Sequence, residues 1–212
     1  MSYIRQKEEH KILIKICGIK RKEDIQYVNI LKPDFIGFVF AKSKRQVDMI
    51  EAKKLIALLN ENIKIVGVFV NKSIHELMQM VNYLELDVIQ LHGDEDKAYI
   101  KEIRNLLKKK HVQIWKSICI SDKRDIKKIH VCTADKVLLD HGKGGTGVSF
   151  SWEIIRNKNM TKPIILAGGL NSENIKKAIE IVKPYAVDVS SGVEINGVKN
   201  FNKINEFIKA CR

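Results

Sequence analysis

A chain of 212 residues with 45% hydrophobic content can bury one sizeable core, as one domain or two small ones. No apolar run approaches the roughly 20 residues needed to span a bilayer, and the opening MSYIRQKEEH lacks the apolar centre of a secretory signal, so a cytoplasmic protein with no membrane partner is expected. The net charge of +13 admits nucleic acid as a partner, but the basic residues are dispersed in short runs such as Lys20-Arg21-Lys22 and Lys108-Lys109-Lys110, which equally suit solvated helix ends or capture of an anionic small molecule.

Residues 1–11 form a polar extension, and periodicity begins at Ile12. From Ile12 to Cys17, Ile12, Ile14 and Ile16 alternate with Leu13, Lys15 and Cys17, the period of a strand. A helix is predicted over Lys20 to Leu31, a strand over Asp34 to Phe40, and a polar loop from Ala41 to Gln46 that carries Arg45. Asp48 caps a helix to Asn60, and Ile63 to Val70 reads as a strand. Ser73, with Glu76 three residues on, has capping-box spacing and opens a helix to Tyr83. Leu86 to Leu91 is a strand, Glu95 to Lys109 a helix, and Val112 to Ile118 a strand. A short helix from Asp122 to His130 precedes the strand Lys136 to Leu139, which ends at Asp140. The loop Gly142 to Gly147 is glycine-rich, and Phe150 to Asn157 reads as a short helix. Ile164 to Leu166 is a buried strand stopped by Gly168-Gly169, followed by Asn171 as a cap, a helix from Asn174 to Val182, and the strand Ala186 to Val189 closed by Ser190-Ser191-Gly192. A last helix runs from Asn200 to Ala210.

Eight strands, each followed by a helix and spaced by about 25 residues, predict a single closed (βα)8 TIM barrel over residues 12–212. A doubly wound open sheet is the alternative, since periodicity does not reveal closure; the GxGxxG turn of a dinucleotide-binding sheet is missing after the first strand. Barrel active sites are assembled at the C-terminal ends of strands. Those positions hold Cys17-Gly18, Arg45, Asn71, Gln90, His92, Asp140, Gly144 to Gly147, Gly168-Gly169 and Ser190-Ser191-Gly192. The glycine turns after strands seven and eight leave backbone N–H groups exposed where barrels commonly hold a phosphate, although tight βα turns alone also use glycine.

Each candidate has a plain structural reading beside the functional one. Four scattered cysteines, without CxxC spacing, fit reduced thiols, and no metal-ligand set emerges. Cys17 is either a small buried hydrophobe or a thiol activated by Lys15, whose ammonium on the same strand face favours thiolate. In a closed barrel strand one adjoins strand eight, so Asp188 is expected to hold Lys15 inside the barrel, beside Cys17. Asp140 is either a loop cap or a general acid whose proton partial burial would retain. Arg45 is a surface cation or the bidentate partner of a substrate carboxylate, and His92 a pocket wall or a turn residue.

Seven blocks together resemble the phosphoribosylanthranilate isomerase family: KICG at Lys15 to Gly18, GFVF then SKR at Gly37 to Arg45, VGVFVN at Val66 to Asn71, QLHG at Gln90 to Gly93, LLD then GGTG at Leu138 to Gly147, ILAGGL at Ile165 to Leu170, and DVSSGVE with NGVKN at Asp188 to Asn200. The likeness runs from about Ile12 to the C-terminus. It implies a cofactor-free, metal-free barrel isomerase of tryptophan biosynthesis, acting on a small phosphorylated substrate, as monomer or homodimer. By resemblance, Cys17 is the general base, Asp140 the general acid and Arg45 the holder of the anthranilate carboxylate. Gly168, Gly169, Ser190, Ser191 and Gly192 are taken to bind the phosphate, with Gln90 and His92 as further substrate contacts and Lys15 and Asp188 in support. The chain departs from the family's SPR at Ser43-Lys44-Arg45, and His141 stands where a small residue commonly follows the acid.

Two rival readings remain at this level. An indole-3-glycerol phosphate synthase would be expected to use lysine and glutamate, and a histidine-pathway sugar isomerase a pair of aspartates. A nucleic-acid-binding protein would need an aromatic-studded basic stripe, yet aromatics make up only 7% and sit on apolar faces.

Overall fold

A computed structural model describes residues 11–107, 111–140, 152–156 and 158–212. Most of the polar extension, the run Lys108 to Lys110, His141, the glycine loop Gly142 to Gly147 and both ends of the Phe150 to Asn157 helix lie outside the described residues.

Eight parallel strands close into a barrel in chain order: β1 (Leu13–Cys17), β2 (Phe35–Val39), β3 (Lys64–Phe69), β4 (Val88–Leu91), β5 (Gln113–Cys119), β6 (Lys136–Asp140), β7 (Ile164–Leu166) and β8 (Ala186–Val189), with β8 returning to β1. The helices are α1 (Lys22–Leu31), α2 (Met49–Ile56), α3 (Ile74–Leu84), α4 (Lys97–Leu106), α5 (Ile126–Val131), α6 (Ile175–Val182) and α7 (Phe201–Cys211). A 3₁₀ turn, Lys123–Asp125, runs directly into the six-residue α5, together the short helix expected there, and between β6 and β7 the described residues hold the 3₁₀ turn Trp152–Ile154. Among the described residues no helix is long and apolar enough to cross a membrane.

The period-two pattern of β1 divides as alternation requires. Ile14 and Ile16 join the core between strands and helices, with Ile36, Phe38 and Phe69 from the next strands. Cys17 faces inward with Phe35, Val66, Val88, Trp115, Leu138 and Ile165, which fill the barrel. Burying each such large apolar side chain contributes roughly 1.5–3 kcal/mol, so both faces of the sheet stabilise the ring. The helix starts follow their caps: Asp48 Oδ1 accepts the Glu51 N–H at 2.7 Å while Glu51 Oε2 accepts the Asp48 N–H at 3.1 Å. At α3, Ser73 Oγ accepts the Glu76 N–H at 3.3 Å and donates to Glu76 Oε2 at 2.7 Å, linking the two side chains directly.

The sequence patterns did not anticipate a hairpin after β8. Ser190 leads into a 3₁₀ turn, Ser191–Val193, then β9 (Glu194–Ile195) and β10 (Val198–Lys199) pair antiparallel across Asn196-Gly197. Both turn residues have positive φ, 51° and 76°, which is what a two-residue turn of the hairpin type requires and what Asn-Gly supplies.

Candidate active site

Closure makes β1 and β8 neighbours, and their register sets Lys15 opposite Asp188. Lys15 Nζ donates to both Asp188 carboxylate oxygens, at 2.9 and 3.0 Å, with the ammonium fully buried. Gly37 on β2 leaves the space: a Cβ there would stand 2.9 Å from Cys17 Sγ and 3.2 Å from Lys15 Nζ. Burial pulls Lys15 down, but Asp188 and Cys17 together carry it above the usual lysine value. For Cys17 the balance runs against the expected thiolate. Burial pushes the thiol up, Lys15 pulls it down and Asp188 pushes it up again, and the net direction is upward. The Lys15 charge is engaged by Asp188, so it offsets only part of the effect of burial on the thiol.

Asp140 ends β6, which β7 and β8 separate from β1. Its Oδ2 lies 3.6 Å from His92 Nε2, too long for a firm hydrogen bond. His92 Nδ1 meets Gln90 Nε2 at 3.2 Å, and Gln90 Oε1 is buried with no hydrogen-bond partner among the described residues. An acceptor left unsatisfied inside a cavity is costly unless a donor arrives from outside the fold. The loop that carries His92 is braced by a group no motif pointed to. Glu95 accepts the Asn71 and Gly93 N–H groups at 2.8 and 3.0 Å and the Lys116 ammonium at 3.1 Å. Asn71 thereby serves this brace.

Arg45 does not present a bare guanidinium. Its Nε and Nη2 donate to Glu194 Oε1 and Oε2, both at 2.7 Å. Glu194 Oε1 also accepts from Lys199 Nζ at 2.6 Å. Burial pushes Glu194 up, but the hydrogen bond from Arg45 and the charge of Lys199 hold it below the usual glutamate value. Burial pulls Lys199 below the usual lysine value against the opposing charge of Glu194. Gly18, at φ 81°, lets the arginine pass: a Cβ there would lie 2.5 Å from Arg45 Cδ. Glu194 and Lys199 had no assigned role in the sequence reading; the Asn-Gly turn between them was the signal that places them opposite each other.

The two turns at the ends of β7 and β8 touch. A Cβ on Gly192 would lie within 1.9 Å of the Leu170 carbonyl oxygen, so the Cα of Gly192 backs onto the β7 turn. Gly168 and Gly169 hold φ of 83° and 67°. Asn174 Nδ2 donates to the Gly169 carbonyl at 2.9 Å, and Asn171 and Asn174 exchange side-chain-to-backbone bonds at 3.0 and 2.9 Å. Ser191 and Gly192 begin a helical turn, where backbone N–H groups have no intrahelical acceptor.

Cys17, Arg45, Gln90, His92, Asp140, Gly168, Gly169, Asp188, Ser190 and Ser191 line one cavity of about 350 Å³ at the C-terminal ends of the strands. Lys15 lies beneath its floor. A larger hollow of about 700 Å³ adjoins it, sharing His92 and Asp140.

The sequence profile described as N-(5′-phosphoribosyl)anthranilate (PRA) isomerase matches residues 14–210. A protein of Thermoanaerobacter sp. (strain X514) named N-(5′-phosphoribosyl)anthranilate isomerase is 48% identical over 205 residues, covering 95% of this chain and 98% of its own. The solved phosphoribosyl anthranilate isomerase of Thermotoga maritima superposes with a TM-score of 0.85 at 34% identity, over 94% of this chain and 98% of that one. Another solved isomerase, in complex with reduced 1-(o-carboxyphenylamino)-1-deoxyribulose 5-phosphate, matches with a TM-score of 0.82 at 33% identity over the same shares. A match across nearly the whole barrel, on a chain whose thiol, carboxyl and glycine turns open on one cavity, leaves a single assignment: this chain belongs to the N-(5′-phosphoribosyl)anthranilate isomerase family.

Proposed function

We propose that the barrel, residues 12–212, converts N-(5-phosphoribosyl)anthranilate into 1-(2-carboxyphenylamino)-1-deoxyribulose 5-phosphate, with residues 1–11 as an extension preceding it. The observation that carries the residue assignment is that Cys17 and Asp140 line one cavity with Arg45 and both glycine-serine turns. Asp140 gives its proton to the furanose ring oxygen as the ring opens to a Schiff base with the anthranilate nitrogen. Cys17, as thiolate, removes the C2′ proton, made acidic by the adjacent iminium. The enolamine then gains a proton at C1′ and loses the hydroxyl proton at C2′, giving the ketone. One turnover leaves a proton on sulfur and a charge on Asp140, so a proton passing from Cys17 to Asp140 resets the site.

The substrate's two anions are read onto the rest of the lining. Arg45 uses Nε and one Nη2 hydrogen on Glu194, which leaves the Nη1 edge for the anthranilate carboxylate. The amides of Gly168, Gly169, Ser190 and Ser191 take the phosphate, and Gly192 acts by keeping the two turns in contact. Gln90 offers its unpartnered Oε1 to a substrate hydroxyl or N–H, and His92 walls the cavity beside Asp140. Anchoring both anions holds C2′ between acid and base. The test is the fluorescence decay of enzymatically generated phosphoribosylanthranilate on adding the protein; no acceleration over the uncatalysed loss would refute the reading.

A further inference from the structure

Lys199 is a buried cation to which the proposed reaction assigns nothing. It is 4% exposed, and its Nζ lies within hydrogen-bonding distance of three acceptors: Glu194 Oε1 at 2.6 Å, Ser190 O at 3.0 Å and Ser190 Oγ at 3.3 Å. An ammonium has three N–H groups, so all of them are used and its geometry is set. Ser190 Oγ in turn donates to the Cys17 carbonyl at 3.0 Å. The same lysine therefore contacts, directly or through one group, the guanidinium of Arg45, the turn after β8 and the end of β1.

The charges require it. Arg45 and Glu194 form a bidentate pair that is neutral as a unit, and a neutral pair attracts an incoming carboxylate weakly. Lys199 returns the cluster to a net charge of one positive unit. Its side chain is 1% exposed, so solvent screens that charge little. Position follows from the hairpin: Lys199 and Glu194 are direct cross-strand partners, held by the Asn196-Gly197 turn.

We infer that Lys199 is the positioning residue for both anions of the substrate. Through Glu194 it orients Arg45 with the Nη1 edge toward the cavity, and through Ser190 it holds the turn that faces the phosphate. This rests on the reading of Arg45 as the carboxylate-binding residue. It predicts an effect on KM that exceeds the effect on kcat, because both anions are held in ground state and transition state alike.

Steady-state kinetics on Lys199→Met, Lys199→Gln, Lys199→Arg and Arg45→Ala test it, with thermal melts to certify folding. Lys199→Met, which keeps the length and removes the charge, is expected to raise KM about tenfold or more while kcat changes by less than about threefold. Lys199→Arg restores part of the loss. The double variant Lys199→Met/Arg45→Ala raises KM by less than the product of the single effects, because the two residues act on one subsite. A folded Lys199→Met with KM within twofold of the parent overturns the inference. If Arg45→Ala itself leaves KM unchanged, the carboxylate reading fails with it; if Arg45→Ala raises KM and Lys199→Met does not, only the positioning role falls. Should Lys199→Met not fold, Lys199→Gln, which also removes the charge, carries the test: KM raised at least fivefold supports the role and an unchanged KM overturns it.

Discussion

At the residue scale, the proposed reaction turns on a proton passing between a thiol and a carboxyl. Cys17→Ala and Asp140→Asn are each expected to lower kcat by on the order of a hundredfold or more with little change in melting temperature. Full turnover by Cys17→Ala would reassign the base. The upward direction at the Cys17 thiol makes a separate prediction. Alkylation follows the thiolate fraction, so the rate climbs about tenfold per pH unit until the pKa is passed. An unperturbed thiol levels off near 9.0, and burial moves Cys17 above that value. Iodoacetamide labelling of Cys17, read by peptide mass spectrometry, should therefore still be accelerating at pH 9; a plateau near neutrality would mean that Lys15 holds a thiolate after all. The thiolate expected from the sequence counted Lys15 alone, whereas burial and Asp188 act on the same sulfur from the opposite side.

At the element scale, contact between the β7 and β8 turns brings together the two loops of the proposed phosphate pocket. Gly192 is the point of contact, with no room for a Cβ against the Leu170 carbonyl. Gly192→Ala is expected to raise KM by tenfold or so and to cost about 1–3 kcal/mol of stability, the usual range for overpacking, as measured by urea unfolding. A variant with parental KM would show that the turns need not touch. The hairpin β9–β10 was legible in principle, since Asn-Gly between Ile195 and Val198 is a strong hairpin signal. Periodicity does not reveal it, because two-residue strands have none of their own. Strand positions are legible for the opposite reason: inward and outward faces alternate over five residues in β1 and four in β4, and both faces are buried beyond Leu13.

At the scale of the whole molecule, closing the barrel places a buried ion pair across the joint between its first and last strands. Removing one partner of such a pair typically costs about 3–5 kcal/mol, because the other charge stays buried alone. Asp188→Asn should show a loss of that size in urea unfolding, whereas Lys15→Met/Asp188→Leu should lose less than the single change, since it leaves no unpaired charge. Equal losses would mean that packing, and not charge, holds the joint. The net charge of +13 is also a property of this scale, and the capture of a doubly anionic substrate gives it a use that dispersed lysines suit better than a nucleic-acid groove does.

What the amino-acid order determined alone was the succession of elements and the chemical types at the strand ends: a cysteine, an aspartate, an arginine and two glycine-serine turns. These are local properties, written in periodicity and in residues that only certain turns accept. Tertiary structure alone decided that Arg45 lies against Glu194, that Lys199 joins Glu194 to Ser190, and that burial outweighs Lys15 at the Cys17 sulfur. Each of these is a balance among groups up to 173 residues apart in the chain, and electrostatic free energy depends on distance and burial, which no linear pattern records.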